Sequence, residues 1–176
     1  MGKELKIYCF NQINEVPHEV YMALLFFFCV GLIILIVRFG LHRGLGLSMR
    51  LLLVEYVFLL YASTVFFRTM SEERECEFIP FWSYRAIMDG SEPQLLSENI
   101  MNIMVFIPVG VLSGVVFQGM NWKKLMMIGA GLSVGIEVLQ LVFRKGFSEV
   151  DDVIHNTLGC AIGYGLWLMI FRYVSK

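Results

Sequence analysis

Residues 20–37 read VYMALLFFFCVGLIILIV, and no charged side chain interrupts them. A run of about 18 or more apolar residues without charge is long enough to cross the hydrocarbon core of a bilayer as an α-helix. It follows a segment that holds Glu4, Glu15 and Glu19 and has no small-residue cleavage site, so it is expected to be a retained helix and not a signal peptide. Four further runs of similar length lie at 51–67, 100–117, 125–143 and 153–171. Backbone N–H and C=O groups in lipid must be satisfied within the segment, so each run is read as a helix.

The rest of the composition agrees. Hydrophobic residues make up 57% of the chain and charged residues 16%, against about 45–50% and about 25% in soluble domains. At 176 residues a soluble fold leaves too much of that apolar surface wet. The expected fold is therefore an all-α integral membrane protein. About five transmembrane helices form one bundle, and 1–176 is a single domain. A net charge of −1 excludes a basic nucleic-acid surface. His18, His42 and His155 are scattered and the cysteines form no CxxC pair, so neither a metal nor another cofactor is expected. Cys29 and Cys160 fall inside apolar runs as small packing residues. Cys9 and Cys76 fall on one side of the membrane, which leaves a disulfide between them open.

The long connection, 68–97, holds Glu72-Glu73-Arg74-Glu75 and then Phe78-Ile79-Pro80-Phe81-Trp82-Ser83-Tyr84. The aromatic piece is expected in the headgroup layer, where Trp and Tyr are favoured; the alternative is a solvated loop with a buried lid. Glycine pairs at 110/114, 131/135 and 159/163 allow close helix approach, and Pro108 should kink the third span.

Five spans place the N-terminus, the long loop at 68–97 and the loop at 144–152 on one face. The loops at 38–50 and 118–124 and the C-terminus lie on the other. Lys and Arg are tied at seven on each face. Setting aside Arg68 and Arg144, which have candidate polar partners, leaves five against seven, and all 13 acidic residues outside the spans lie on the first face. The second face is expected in the cytoplasm, with the N-terminus outside.

Ionisable groups inside a span are costly and mark candidate sites. Glu137, Gln140 and Arg144 share one helix face at spacing i, i+3, i+7. Glu98 and Asn102 stand at i, i+4 where the third span begins, and Asp152 and Asn156 do the same at the fifth. Arg68 ends the second. Glu137 lies about 9 Å below the outer end of its helix at 1.5 Å per residue. Four helices thus offer polar groups at one level, forming a pocket open to the outer leaflet. The alternative is structural: Arg144 pairs with Asp151 or Asp152, and Glu137 with Arg68, to fix helix register.

The same residues carry a pattern. Arg68-Thr69 is followed by Glu98-Asn99-Ile100-Met101-Asn102-Ile103, running into Phe106-Ile107-Pro108-Val109-Gly110. Then come Ile136-Glu137-Val138-Leu139-Gln140 with Arg144, and Asp151-Asp152-Val153-Ile154-His155-Asn156-Thr157-Leu158-Gly159 with Gly163-Tyr164. From about Leu51 to Phe171 this resembles the VanZ-like family. The resemblance implies a bacterial cytoplasmic-membrane protein linked to teicoplanin resistance and the cell envelope. It implies no reaction.

Three functions are weighed. In a binding role at the outer leaflet, the pocket holds a membrane lipid, a lipid-linked cell-wall precursor or a lipoglycopeptide. Arg68 and Arg144 contact its phosphate or carboxylate, and Glu98, Asn102, Gln140 and Asn156 orient it. In an enzyme acting on a lipid-linked intermediate, Glu137 is general acid or base and Asp151 or Asp152 the second carboxylate. Ser83, Ser97 and Ser148 show no base beside them, and no nucleophile motif stands out. A transporter is the third reading, but the spans show no inverted repeat. Oligomeric state is not legible.

Overall fold

The computed structural model describes residues 16–174; Cys9 lies outside them. Helix α1 (His18–Phe39) leads into α2 (Leu41–Tyr61), which a π-helical turn extends over Ala62–Phe66. The long loop holds strand β1 (Glu75–Glu77) and short helix α3 (Trp82–Met88). Then follow α4 (Leu95–Val116), α5 (Trp122–Phe143), strand β2 (Phe147–Glu149) and α6 (Val150–Val174). Among the described residues five helical segments are long and apolar enough to cross a membrane: His18–Phe39, Arg43–Phe66, Leu95–Val116, Trp122–Phe143 and Val150–Ile170.

The first two spans nearly abut. The loop expected over 38–50 reduces to Gly40, whose φ of 79° admits the reversal. Of the charges in 38–50, Arg38 sits on the last turn of α1 and Arg43 and Arg50 on α2, where Ser48 Oγ donates to the Gly44 carbonyl at 2.8 Å. The third and fifth spans also start earlier than the apolar runs do. Glu98 stands in the first turn of α4, and Asp151 and Asp152 in that of α6, where an acidic side chain is favoured by the helix dipole.

Helices α4 and α6 form the most extensively packed pair. A Cβ added at Gly159 would strike the Ile103 carbonyl oxygen, one at Gly163 the Ile107 carbonyl, and one at Gly110 the Cys160 carbonyl. Hydrogen at these positions lets the two backbones touch. Gly114 meets the Trp167 ring. The middle pair behaves differently: Gly131 has nothing within 4 Å, and Gly129 instead faces Cys160. Helix α4 remains helical through Pro108. Near that proline, Tyr56 Oη donates to the Val105 carbonyl at 2.8 Å.

The core joins Leu60 and Val65 of the α2 segment to Phe106, Val109, Leu125, Ile136, Cys160 and Tyr164. Helix α1 buries none of its residues and packs chiefly on α2. Strands β1 and β2 pair in parallel, Glu75 opposite Phe147 and Glu77 opposite Glu149. This ribbon ties the long loop to the α5–α6 turn.

Candidate functional site

A cavity of about 370 Å³ opens between α1, α2 and α4 beneath the ribbon. Its wall is apolar along Tyr21, Tyr56, Leu59, Leu60, Met101 and Val105. Its other end is polar, formed by Ser63, Thr64, Arg68, Glu98, Asn102, Glu149 and Asp152, with Phe147 beside them. Val105 lies seven residues along α4 from Glu98, so the apolar wall extends about 10 Å from the polar end at 1.5 Å per residue.

The π-turn shapes that end. The Phe67 N–H donates to the Ala62 carbonyl at 3.0 Å, five residues back. Ser63 Oγ and Thr64 Oγ1 both donate to the Leu60 carbonyl, at 3.1 and 2.7 Å. Such single π-turns often occur at functional sites. Gln140 Nε2 donates to the Thr64 carbonyl at 3.1 Å, so Gln140 supports the turn from α5 without lining the cavity.

Arg68 is the cation whose charge reaches Glu98, Glu137 and Asp152. Its guanidinium passes over Gly146, where a Cβ would strike it, and Gly146 also has a φ of 107°. Asn102 Nδ2 donates to Asp152 Oδ1 at 2.6 Å. Glu149 joins the cavity to the loop: its Oε2 accepts from Trp82 Nε1 at 2.8 Å, while its backbone N–H donates to Glu137 Oε2 at 2.8 Å. Burial, then the neighbouring Asp152 carboxylate, pushes the Glu149 carboxyl up to about 8, against the lowering effect of the Trp82 hydrogen bond.

The aromatic loop segment is held by the start of α6. Asp151, fully buried, accepts from the Phe81 N–H at 2.5 Å, the Ser83 N–H at 3.0 Å and Ser83 Oγ at 2.5 Å. Asn99 Nδ2 donates to Ser83 Oγ at 3.1 Å, and Tyr84 Oη pairs with His155 Nε2 at 2.8 Å. Phe81 adopts φ 63° to enter α3. Ser83 and Ala86 turn inward while Phe78, Ile79, Phe81 and Met88 stay exposed. The segment is thus anchored through its polar groups and leaves its large apolar side chains exposed.

Of the expected site residues, the structure gathers Arg68, Glu98, Asn102 and Asp152 around the cavity. Glu137, Gln140 and Asn156 stand behind it as buried supports; Asn156 Nδ2 donates to Ser133 Oγ at 2.8 Å. Asp151 is engaged by the loop. Arg144 is exposed, in a left-handed conformation (φ 55°) that ends α5. Its carbonyl accepts from the Ser71 N–H at 2.7 Å, and its Nη1 donates to the Glu72 carbonyl at 3.1 Å. The register pair expected with Asp151 or Asp152 is replaced by this loop contact, because the left-handed residue turns away from the helix face it continues. Ser83, read as lacking a base, has the Asp151 carboxylate beside it, but both groups are buried in the loop anchor. Glu149 was the residue missed: it stands in the loop that carries Asp151 and Asp152, and only the ribbon turns its side chain inward.

The family model described as VanZ/LLP1 matches residues 20–172. The chain is similar to Protein VanZ of Enterococcus faecium, at 34% identity over 79 residues, 45% of this chain and 49% of that protein. The match therefore spans about half of that relative's length. No solved structure matches. With five helices able to span a membrane and a family match from α1 into α6, the chain is a membrane protein that belongs to the VanZ/LLP1 family.

Proposed function

We propose that this protein binds an amphiphile of the cell envelope, a membrane lipid, a lipid-linked cell-wall precursor or a lipoglycopeptide, in the cavity between α1, α2 and α4. The observation that carries this reading is the cavity's division into an apolar wall and a polar end bearing Arg68. A chain lies along Tyr56, Leu59 and Val105 while its anionic headgroup meets the guanidinium, which forms paired hydrogen bonds with phosphate or carboxylate. The family's implied link to teicoplanin resistance fits a ligand of this kind. So does an orientation with the ribbon and lid outside a bacterial cytoplasmic membrane and the C-terminus inside, which the acidic residues of the first face support.

Mass spectrometry of lipid co-purified with the full chain tests the proposal. The native protein should retain an amphiphile that Arg68→Gln loses at equal abundance. Equal retention by the two would remove Arg68 and this cavity from the reading.

A second reading is favoured by Glu149. A carboxyl at about 8 facing the cavity beside Asp152 is a stored proton near neutrality, as general acid catalysis requires. Turnover of a lipid-linked substrate by the purified protein, abolished by Glu149→Gln, would favour an enzyme over a binding protein.

A further inference from the structure

The polar end of the cavity is unbalanced in charge. Arg68 is the one cation among its described lining residues, which include the carboxyls of Glu98, Glu149 and Asp152, and its charge reaches Glu98 and Asp152. Arg68 is also shared with Glu137 behind the wall. Of the other described cations at this end of the bundle, Arg144 Nη1 donates to the Glu72 carbonyl and Lys145 Nζ to the Phe66 carbonyl at 2.8 Å, and none of them lines the cavity. Carboxyls in a low-dielectric site that outnumber their cations either hold a proton, as Glu149 does near neutrality, or give it up when a bound cation takes its place. Among the described residues no grouping of His, Cys, Asp and Glu is placed to hold a metal ion.

The three carboxyls come from three elements, Glu98 from α4, Glu149 from β2 and Asp152 from α6. They therefore approach a ligand from different directions. A primary ammonium presents three donors that can serve such an arrangement, while a quaternary ammonium presents none.

We infer that the cavity selects a zwitterionic headgroup, with its anion on Arg68 and a protonated primary amine among Glu98, Glu149 and Asp152. This rests on the amphiphile reading above and narrows it. Two sources supply that chemistry: an aminophospholipid, and a lipid-linked peptide with a free amine. A purely anionic lipid offers these carboxyls no cation or N–H donor.

The test uses the full chain in detergent, titrated separately with phosphatidylethanolamine, its N-acetylated form, phosphatidylcholine, phosphatidylglycerol, and a polyprenyl-linked lysine peptide with its N-acetylated form. Binding is read by native mass spectrometry. At least one free-amine probe should bind tenfold or more tighter than its N-acetylated partner and than phosphatidylglycerol. Whichever of the two binds identifies the source. Glu149→Gln with Asp152→Asn should shrink that preference to within about twofold; if that double variant does not fold, Glu98→Gln should reduce it several-fold. Phosphatidylglycerol binding as tightly as the free-amine probes, or a preference unchanged in the carboxyl variants, would overturn the inference and leave the amphiphile reading standing. Failure of every probe to bind would sink both.

Discussion

Replacing Asp151 by Asn should unlatch the lid and leave the bundle folded. The carboxylate accepts three hydrogen bonds, from the Phe81 N–H, the Ser83 N–H and Ser83 Oγ, in a fully buried position. An Asn side chain keeps one acceptor oxygen and turns an N–H₂ toward donors. If the oxygen stays on the Phe81 N–H, the Ser83 hydroxyl can rotate to accept, but the Ser83 N–H loses its partner. A hydrogen bond to a charged group contributes about 1.5–3 kcal/mol, and a stranded buried donor costs about 1–3 kcal/mol more. The local cost is therefore about 2.5–6 kcal/mol. At 1.4 kcal/mol per decade, amide protection over residues 81–83 should fall roughly 10²–10⁴-fold. Hydrogen exchange read by mass spectrometry on the peptide 78–88, with α4 and α6 peptides as reference, measures this. Unchanged protection over 81–83 would refute the latch. Equal loss in α4 and α6 would show that Asp151 holds the whole bundle and not the lid.

Gly163→Leu should lower thermal stability by about 1–3 kcal/mol or more, because its Cβ falls on the Ile107 carbonyl, whereas Gly131→Leu meets open space and should leave a melting scan unchanged. Stability near Glu149 should decline with pH. Its carboxyl is neutral in both states below its ordinary value of 4.5, and above that the unfolded chain ionises first, so the contribution is lost as pH rises towards about 8. Glu149→Gln should flatten that part of a stability–pH curve, and an unaltered slope would count against the buried carboxyl. In a background without native cysteines, a thiol at Gly90 should label from outside intact cells and one at Asn121 should not; the reverse pattern would invert the membrane orientation.

The spans were legible because a bilayer forces long apolar runs into helices, and the charge-free run at 20–37 admits no other reading. Their starts were less so: Glu98 and Asp152 look like loop residues by polarity but stand on first helical turns, where the dipole accepts them. Arg68, Glu98, Asn102 and Asp152 could be placed at one level by counting residues from span ends. Helical periodicity also placed Arg144 on the Glu137 face, but it does not reveal a left-handed cap, so the cation was assigned to the cavity when it holds the loop. The parallel ribbon was invisible. Its strands have three residues each and are separated by α3, α4 and α5, too short and too distant for alternation to register. Glu149 was lost with it, because its role depends on that pairing and not on its neighbours in sequence.

The ribbon also dictates an order of events during synthesis. Residue 75 must wait for residue 147, and Ser83 for Asp151, before either finds its partner. At 5–20 residues per second, the wait for residue 147 is roughly 4–14 s, during which α4 and α5 are made and threaded through the translocation machinery. The segment with Phe78, Ile79, Phe81 and Met88 is unlatched for that whole interval, with bilayer and chaperones competing for it. The last strand to emerge closes the cavity, so a nascent chain stalled before Phe147 would already hold four of its five membrane-spanning helices and still lack the cavity's Phe147 and Glu149 wall.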